Sequence, residues 1–330
     1  NIYVLEHFDF TEQQMKKLKS LGNIKYFQKA TEKQIEEAIN NADAILLDWI
    51  DPTEIITKMK KGKFICLPYT GYAWIKTLKQ AIENGVVISN TPNYSTNAVA
   101  EAHLSLMLAA SKQIPYFNNF TKNKKNVPFN RSIELSGKKV GIIGLGHIGK
   151  RLTELLQPFN VELYTYNKSN KNISGIKDVA LDELLKTCDY VCITCSLNDN
   201  TKNMIDYEKL SLLKSNAIIT QTTGGIIDLF ALDKILSEGR LFGVGLDDVD
   251  QLEIPENLYE HENLICTYHR AFDTRESEKN RIDMCIDNIE NFFQSKLRTV
   301  VFQKPEKLLV RQTGGNPAGT CADPCAVLHL

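Results

Sequence analysis

The chain has 330 residues, of which 43% are hydrophobic and 24% charged, and its formal net charge is −1. That balance describes a globular protein long enough for two domains with a core in each. It leaves no global field to draw the chain to nucleic acid or to an acidic membrane, and no apolar run approaches the ~18 residues that a bilayer span needs.

The expected partner is therefore a small molecule, with no nucleic acid and no membrane. NIYVLEHFDF (1–10) enters strand-like sequence at once and lacks the charged start and apolar middle of a signal peptide, so a cytoplasmic protein is expected. Six of the eight cysteines lie in or beside apolar segments without metal-ligand spacing. They read as reduced core thiols, and no metal site is expected. Cys192 and Cys195 form a C-x-x-C, but VCITC is strand-like and splits the pair between two faces.

IYVLE (2–6) reads as a strand, and TEQQMKKLKSLG (11–22) as a helix with a Thr cap and a Gly stop. TEKQIEEAINNA (31–42) repeats the helical pattern before the strands AILLDW (44–49), KFICLPY (63–69) and GVVISN (85–90). Such alternation implies a mainly parallel sheet covered by helices. AVAEAHLSLMLAASKQI (98–114) is a long helix, apolar on most faces, of the kind that is buried in an interface or links domains. A polar loop (115–137) precedes a second series of strands: VGII (140–143), VELYTY (161–166), YVCIT (190–194), AIIT (217–220), GVGL (243–246) and NLICT (263–267). A helix over about 275–296 then leads into TVVF (299–302), which is expected to return the chain to the first sheet. The last 23 residues contain no Lys, Ile, Phe or Tyr and read as a tail outside the fold, its CADPC (321–325) too sparse to define a disulfide loop or a metal site.

VGIIGLGHIGKRL carries the strongest motif. Gly144, Gly146 and Gly149 form G-x-G-x-x-G directly after a strand, with His147 and Ile148 opening a helix. The first Gly permits a tight turn, the second lets backbone approach a pyrophosphate, and the third lets helix and strand pack closely. The pyrophosphate then meets free N–H groups at the positive end of the helix. About twenty residues on, an NAD site has an Asp or Glu for the ribose hydroxyls. Here the strand VELYTY ends in Asn167, Lys168, Ser169 and Asn170, with no carboxylate. An acid would repel a 2′-phosphate, whereas these side chains can bond one. NADP(H) is favoured over NAD(H).

These segments together resemble the D-isomer-specific 2-hydroxyacid dehydrogenases, the group of phosphoglycerate, D-lactate and formate dehydrogenases. The likeness runs from about residue 40 to 303, through NTPNYSTNAVAEAHLSLML (90–108), the GLGHIG loop, YVCITCSLNDNTKNMI (190–205), IITQTTGGIIDLFAL (218–232), GVGLDDV (243–249) and LICTYHRAFDT (264–274). The resemblance implies an α/β protein in which a Rossmann-type nucleotide-binding domain (98–281) is inserted into a smaller flavodoxin-like substrate domain (1–97 plus 282–306), leaving 307–330 as the tail. It also implies a cleft between the domains and a homodimer formed through the nucleotide-binding domain.

The same resemblance implies the site. His269 stands where a catalytic His donates or removes the proton on the substrate oxygen, and a Glu should hold it and favour its imidazolium. Asp247 fits the Asp that faces the nicotinamide amide, but five residues beyond it stands Leu252, with Glu253 next. A one-residue slip, or Asp248 as the reference, makes Glu253 the partner. Ser196, Thr201 and Thr222 are placed beside the cofactor, Thr194 and Ser196 replacing a usual His and Pro. Thr70, Gly71 and Tyr72 in PYTGYAW (68–74) are placed to bind a substrate carboxylate through backbone N–H groups, with Tyr72 or Trp74 as a wall. An arginine that grips this carboxylate is missing: the pattern N-x-x-R-G-G reads T-Q-T-T-G-G here, with Thr223 in the Arg position.

Three explanations follow. Another cation, Arg270, substitutes; or the substrate carries no carboxylate beside its carbonyl; or catalysis is lost and the protein is a dinucleotide-binding sensor or scaffold. Retention of His269 and Glu253 favours an enzyme. The expected activity is hydride transfer between nicotinamide and a small 2-oxo or 2-hydroxy acid or related carbonyl compound.

Overall fold

The computed structural model describes residues 1–302 except 61, 73–74, 127–130, 170–172, 250–251 and 297–299. The tail, Asn170 and Trp74 therefore lie outside the described residues. Strands β1 (Ile2–Val4), β2 (Ile24–Tyr26), β3 (Ala44–Leu46), β4 (Phe64–Cys66) and β5 (Val87–Ser89) form one parallel sheet in the order β2-β1-β3-β4-β5. This is the flavodoxin-like strand order. A second parallel sheet is built from β6 (Lys139–Ile143), β7 (Glu162–Tyr166), β8 (Ile176–Asp178), β9 (Tyr190–Ile193), β10 (Ile218–Gln221), β11 (Gly243–Leu246) and β12 (Leu264–Cys266). Its order, β8-β7-β6-β9-β10-β11-β12, is the doubly wound nucleotide-binding order with one further strand. The central strands are buried on both faces, as the continuous Ile, Val and Leu runs require.

The expected return to the first sheet is observed: β13 (Val300–Phe302) pairs antiparallel with β5. The helix before it, Arg275–Phe293, buries Ile282, Cys285, Ile286 and Ile289 against β1, β3 and β4, and its Phe292 stacks on Phe64 at 4.6 Å. Its Arg281 reaches Asp48, at the end of β3, with bonds of 2.9 and 3.0 Å, and Glu278 at 2.7 Å. Burial pushes the Asp48 carboxyl above its ordinary range, and the guanidinium opposes that shift.

A crossing helix, Thr96–Ser111, connects the first sheet to the second. It lies on the glycine-loop helix His147–Leu156 and on β10 and β11. Its closeness to β11 explains two glycines: a Cβ on Gly243 would stand 2.9 Å from Ala110, and one on Gly245 2.8 Å from Leu106. His103 on this helix is fully buried, its Nδ1 2.9 Å from the Thr220 hydroxyl and its Nε2 3.0 Å from that of Thr222. The helix ends earlier than the sequence pattern suggests. Gln113 adopts a left-handed backbone (φ 51°), and a separate helix, Ile114–Lys122, starts there with Pro115 in its first turn. The segment expected to be loop is helical in this part because the break is a backbone turn, while IPYF continues in helical sequence.

Two stability experiments follow from these buried groups. Burial pushes His103 down to about 3, whereas the unfolded chain protonates it near ~6.5. The folded state therefore keeps the full benefit of neutral His103 above about pH 6.5 and loses it as pH falls toward 3, by roughly 1.4 kcal/mol per unit. Urea titrations at pH 7 and 4.5 should show a smaller acid loss in His103→Gln than in the unaltered protein; equal losses would remove His103 from the account. Arg281→Met strands the Asp48 carboxylate and should cost ~3–5 kcal/mol, most of it recovered in Arg281→Met/Asp48→Leu. Failure of the second substitution to rescue would mean that Glu278 or packing, not Asp48, sets the cost.

Candidate active site

The glycine loop follows β6. Gly144 has φ 97°, and a Cβ there would stand 2.6 Å from Cys195; a Cβ on Gly149 would stand 2.5 Å from the Gly144 carbonyl oxygen. Both positions need glycine for closeness. Gly146 has nothing within 4 Å of where its Cβ would be, so the loop offers bare backbone to a ligand. It is also the N-cap of His147–Leu156 and places no side chain on the helix N–H groups. Those groups and that open surface fit a pyrophosphate. Thr194 donates to the Gly144 carbonyl at 2.6 Å and steadies the loop from β9.

At the end of β7, the Asn167 side-chain oxygen accepts from the Leu145 N–H at 2.5 Å, and its amide donates to Thr165 at 3.0 Å. Asn167 thus shapes the glycine loop, while Lys168 and Ser169 are exposed beside it. The Thr201 hydroxyl donates to the Ser196 carbonyl at 2.7 Å and accepts from the Asn198 N–H at 2.8 Å, closing the loop 196–201. The Cys192 and Cys195 thiols are pushed up by burial, to about 12 and about 11, which keeps both protonated. Among the described residues, no group of His, Cys, Asp and Glu could hold a metal, and no helix is long and apolar enough to cross a membrane.

The ends of β10, β11 and β12 meet at one carboxylate. Asp248 follows β11 with a left-handed backbone (φ 59°), which turns its side chain toward the loop after β12. Its Oδ1 lies 2.5 Å from His269 Nδ1, and its Oδ2 accepts from the Gly224 N–H at 3.0 Å. Burial disfavours its charge, but the bonds from His269 and Gly224 outweigh that and hold the carboxyl below its ordinary value. Gly224 is required here, because a Cβ would stand 2.1 Å from the Asp248 carbonyl oxygen. Phe272 meets the His269 ring edge-on at 5.2 Å, and Tyr94, from the chain leading into the crossing helix, meets Phe272 at 6.4 Å.

Three of the expected residues are placed by this geometry as follows. The carboxylate on His269 is Asp248; Glu253 is exposed and makes no hydrogen bond to the ring. The left-handed turn at Asp248 brings this acid to the His directly after the strand. Asp247 is only 1% exposed. Its Oδ1 accepts from the Thr267 hydroxyl (2.5 Å) and the Arg270 N–H (2.8 Å), and its Oδ2 from the Ala271 N–H (2.9 Å), so it braces the loop that carries His269. The Arg270 guanidinium pairs with Asp273 at 2.5 Å and is 64% exposed.

The remaining residues are placed as follows. Thr223 is half-buried one residue before Gly224, and its hydroxyl makes no hydrogen bond among the described residues. The Thr222 hydroxyl is held by His103. Thr70 donates to the Thr91 carbonyl at 3.3 Å, Gly71 is exposed, and Tyr72 packs against the first core. Sequence reasoning missed His103, although threonines at 220 and 222 on one face of a strand end, opposite a helix His, were the available signal.

Comparison with known proteins agrees with this architecture. A family model described as D-isomer specific 2-hydroxyacid dehydrogenase, NAD binding domain, matches residues 104–271, just over half of the 330-residue chain. The D-3-phosphoglycerate dehydrogenase of Methanocaldococcus jannaschii is 29% identical over 307 residues, or 89% of this chain, which spans 58% of that relative's length. The glyoxylate reductase of Pyrococcus furiosus is 27% identical over 297 residues, covering 85% of this chain and 88% of its own. Among solved structures, an acyclic imino acid reductase in complex with NADPH and D-Arg is similar with a TM-score of 0.81 at 26% identity, covering 92% of this chain and 100% of that one. The chain belongs to the D-isomer specific 2-hydroxyacid dehydrogenase family, a family of nicotinamide-dependent oxidoreductases.

Proposed function

We propose that the chain is an NADP(H)-preferring oxidoreductase that transfers hydride between nicotinamide and a small 2-oxo or 2-hydroxy acid or related carbonyl compound. The observation that carries this reading is the His269–Asp248 pair, 2.5 Å apart at the carboxyl ends of β11 and β12. Ligands of doubly wound sheets bind at such strand ends. The bound dinucleotide supplies the hydride. Asp248 holds Nδ1 and fixes the ring, so the proton exchanged with substrate is assigned to Nε2. Gly71 and Tyr72, whose N–H groups donate to no backbone carbonyl among the described residues, suit a substrate carboxylate.

Cofactor preference rests on the end of β7. Lys168 and Ser169 are exposed there, and residues 167–169 include no carboxylate that would repel a 2′-phosphate. The NADPH bound by the imino acid reductase is in keeping with that preference. The domain division near 97 and 282 belongs to the same proposal, since closure of a cleft would exclude water during transfer. So does a homodimer through the nucleotide-binding domain: helix Ile114–Lys122 buries none of its residues, and Ile114 is 55% exposed. The alternative of a sensor or scaffold without turnover draws no support from relatives named as reductases and dehydrogenases.

The test is NADPH oxidation against a panel of 2-oxo acids, aldehydes and ketones. With the best substrate, His269→Ala and Asp248→Asn should lower kcat by ~10²–10⁴-fold while NADPH binding, read by fluorescence, persists; Glu253→Ala should change little. Full activity in His269→Ala would sink the assignment, and a large loss in Glu253→Ala would restore Glu253 to the site. Asn167→Asp should move preference toward NADH by introducing a charge that repels the 2′-phosphate. An unchanged ratio of kcat/KM for the two cofactors would place the selectivity elsewhere.

A further inference from the structure

We propose that the hydride acceptor is the iminium of a 2-oxo acid, formed with ammonia or a primary amine, and not the 2-oxo acid itself. This rests on the reading of the site as a nicotinamide-dependent reductase and names its substrate class. The argument is one of charge. The turn 220–226 beside the His269–Asp248 pair carries hydroxyls and bare backbone but no Lys or Arg, and neither does 68–72. Arg270 spends its guanidinium on Asp273, and Arg281 is buried between Asp48 and Glu278. The acids are close: Asp248 touches the His ring and Asp247 braces the loop beneath it.

A 2-oxo acid fits such a site poorly. It brings a negative charge, and its carbonyl oxygen gains more as hydride arrives, which calls for a cation or strong donors aimed at that oxygen. An iminium acid differs on both counts. Its carboxylate and its C=N⁺ cancel, so the bound group is neutral overall. Its electrophile carries its own positive charge, which the arriving hydride discharges, so the reacting bond needs no external guanidinium. The neutral Thr223 is then a fit to the acceptor.

The chemistry balances. In solution the amine nitrogen bonds to the carbonyl carbon and water leaves, giving C=N⁺. In the site that carbon accepts a hydride with its electron pair from the reduced nicotinamide, and the C=N π pair becomes the nitrogen lone pair. The carbon is reduced, the nicotinamide is oxidised, and an amino acid results. If the imine arrives neutral, His269 gives the nitrogen its proton and regains one from solvent.

The experiment measures NADPH oxidation by the full chain with glyoxylate, pyruvate or phenylpyruvate, each alone and with methylamine or ammonium, and identifies products by mass spectrometry. The expected result is a rate at least ~10-fold higher with the amine, with an amino acid as product. Thr223→Arg should lower the amine-dependent rate and raise hydroxy acid formation. Equal rates with and without amine, giving only hydroxy acid, would overturn the iminium inference and leave the reductase reading intact. No oxidation in any mixture, with NADPH binding intact, would overturn both.

Discussion

The candidate site depends on the Asp248 carboxylate. One oxygen fixes His269 and the other fixes the Gly224 N–H, so a single group ties the ends of β10, β11 and β12 together. Neither bond is local in sequence. They form because parallel strands in register deliver their carboxyl ends to one edge, and because the chain after β11 turns left-handed immediately. Asp247 supports the arrangement from below by binding two backbone N–H groups and a hydroxyl of the following loop. Two adjacent acids thus divide the work. The buried one organises backbone, and the half-buried one meets the His269 ring.

The crossing helix links this knot to the rest of the molecule. Gly243 and Gly245 let it lie against β11, and His103 ties it to the hydroxyls of Thr220 and Thr222. A neutral imidazole can donate from one nitrogen and accept at the other, so it suits two hydroxyls that can each take either role. The turn bearing Thr223 is therefore held from the helix through Thr222 and from the strand end through Gly224. Motion of the first sheet relative to the second must act through this helix or through Arg275–Phe293.

What was legible in the sequence was what local pattern controls. Apolar runs separated by amphipathic stretches located most of both sheets, the glycine spacing located the dinucleotide loop, and the family resemblance pointed to His269. The strands β2 and β8, IKY and IKD, escaped because neither contains a buried residue, which erases the apolar signal. The contact of Asp248 with His269 was not legible, because spacing counts residues and cannot see a non-glycine residue at φ 59°. The direction of the Arg270 side chain, which pairs with Asp273, was likewise not legible, because adjacency to His269 along the chain does not fix where a side chain points.

The backbone itself argues that the pair serves chemistry as well as stability. Asp248 and His269 both sit in the left-handed region, at φ 59° and 48°. Few non-glycine residues do so, although Asp and His are among those that tolerate it best. Such conformations can cost ~1–3 kcal/mol each and persist where surrounding bonds over-determine them. A fold seeking stability alone could relax both turns by placing glycine there, at the expense of the two side chains. Keeping an acid and an imidazole at these positions, each bound by several neighbours, points to selection for their contact. A carboxylate so fixed needs no reorganisation when the charge on the ring changes. That pre-set negative charge, beside a turn without a cation, determines which acceptors the site can favour.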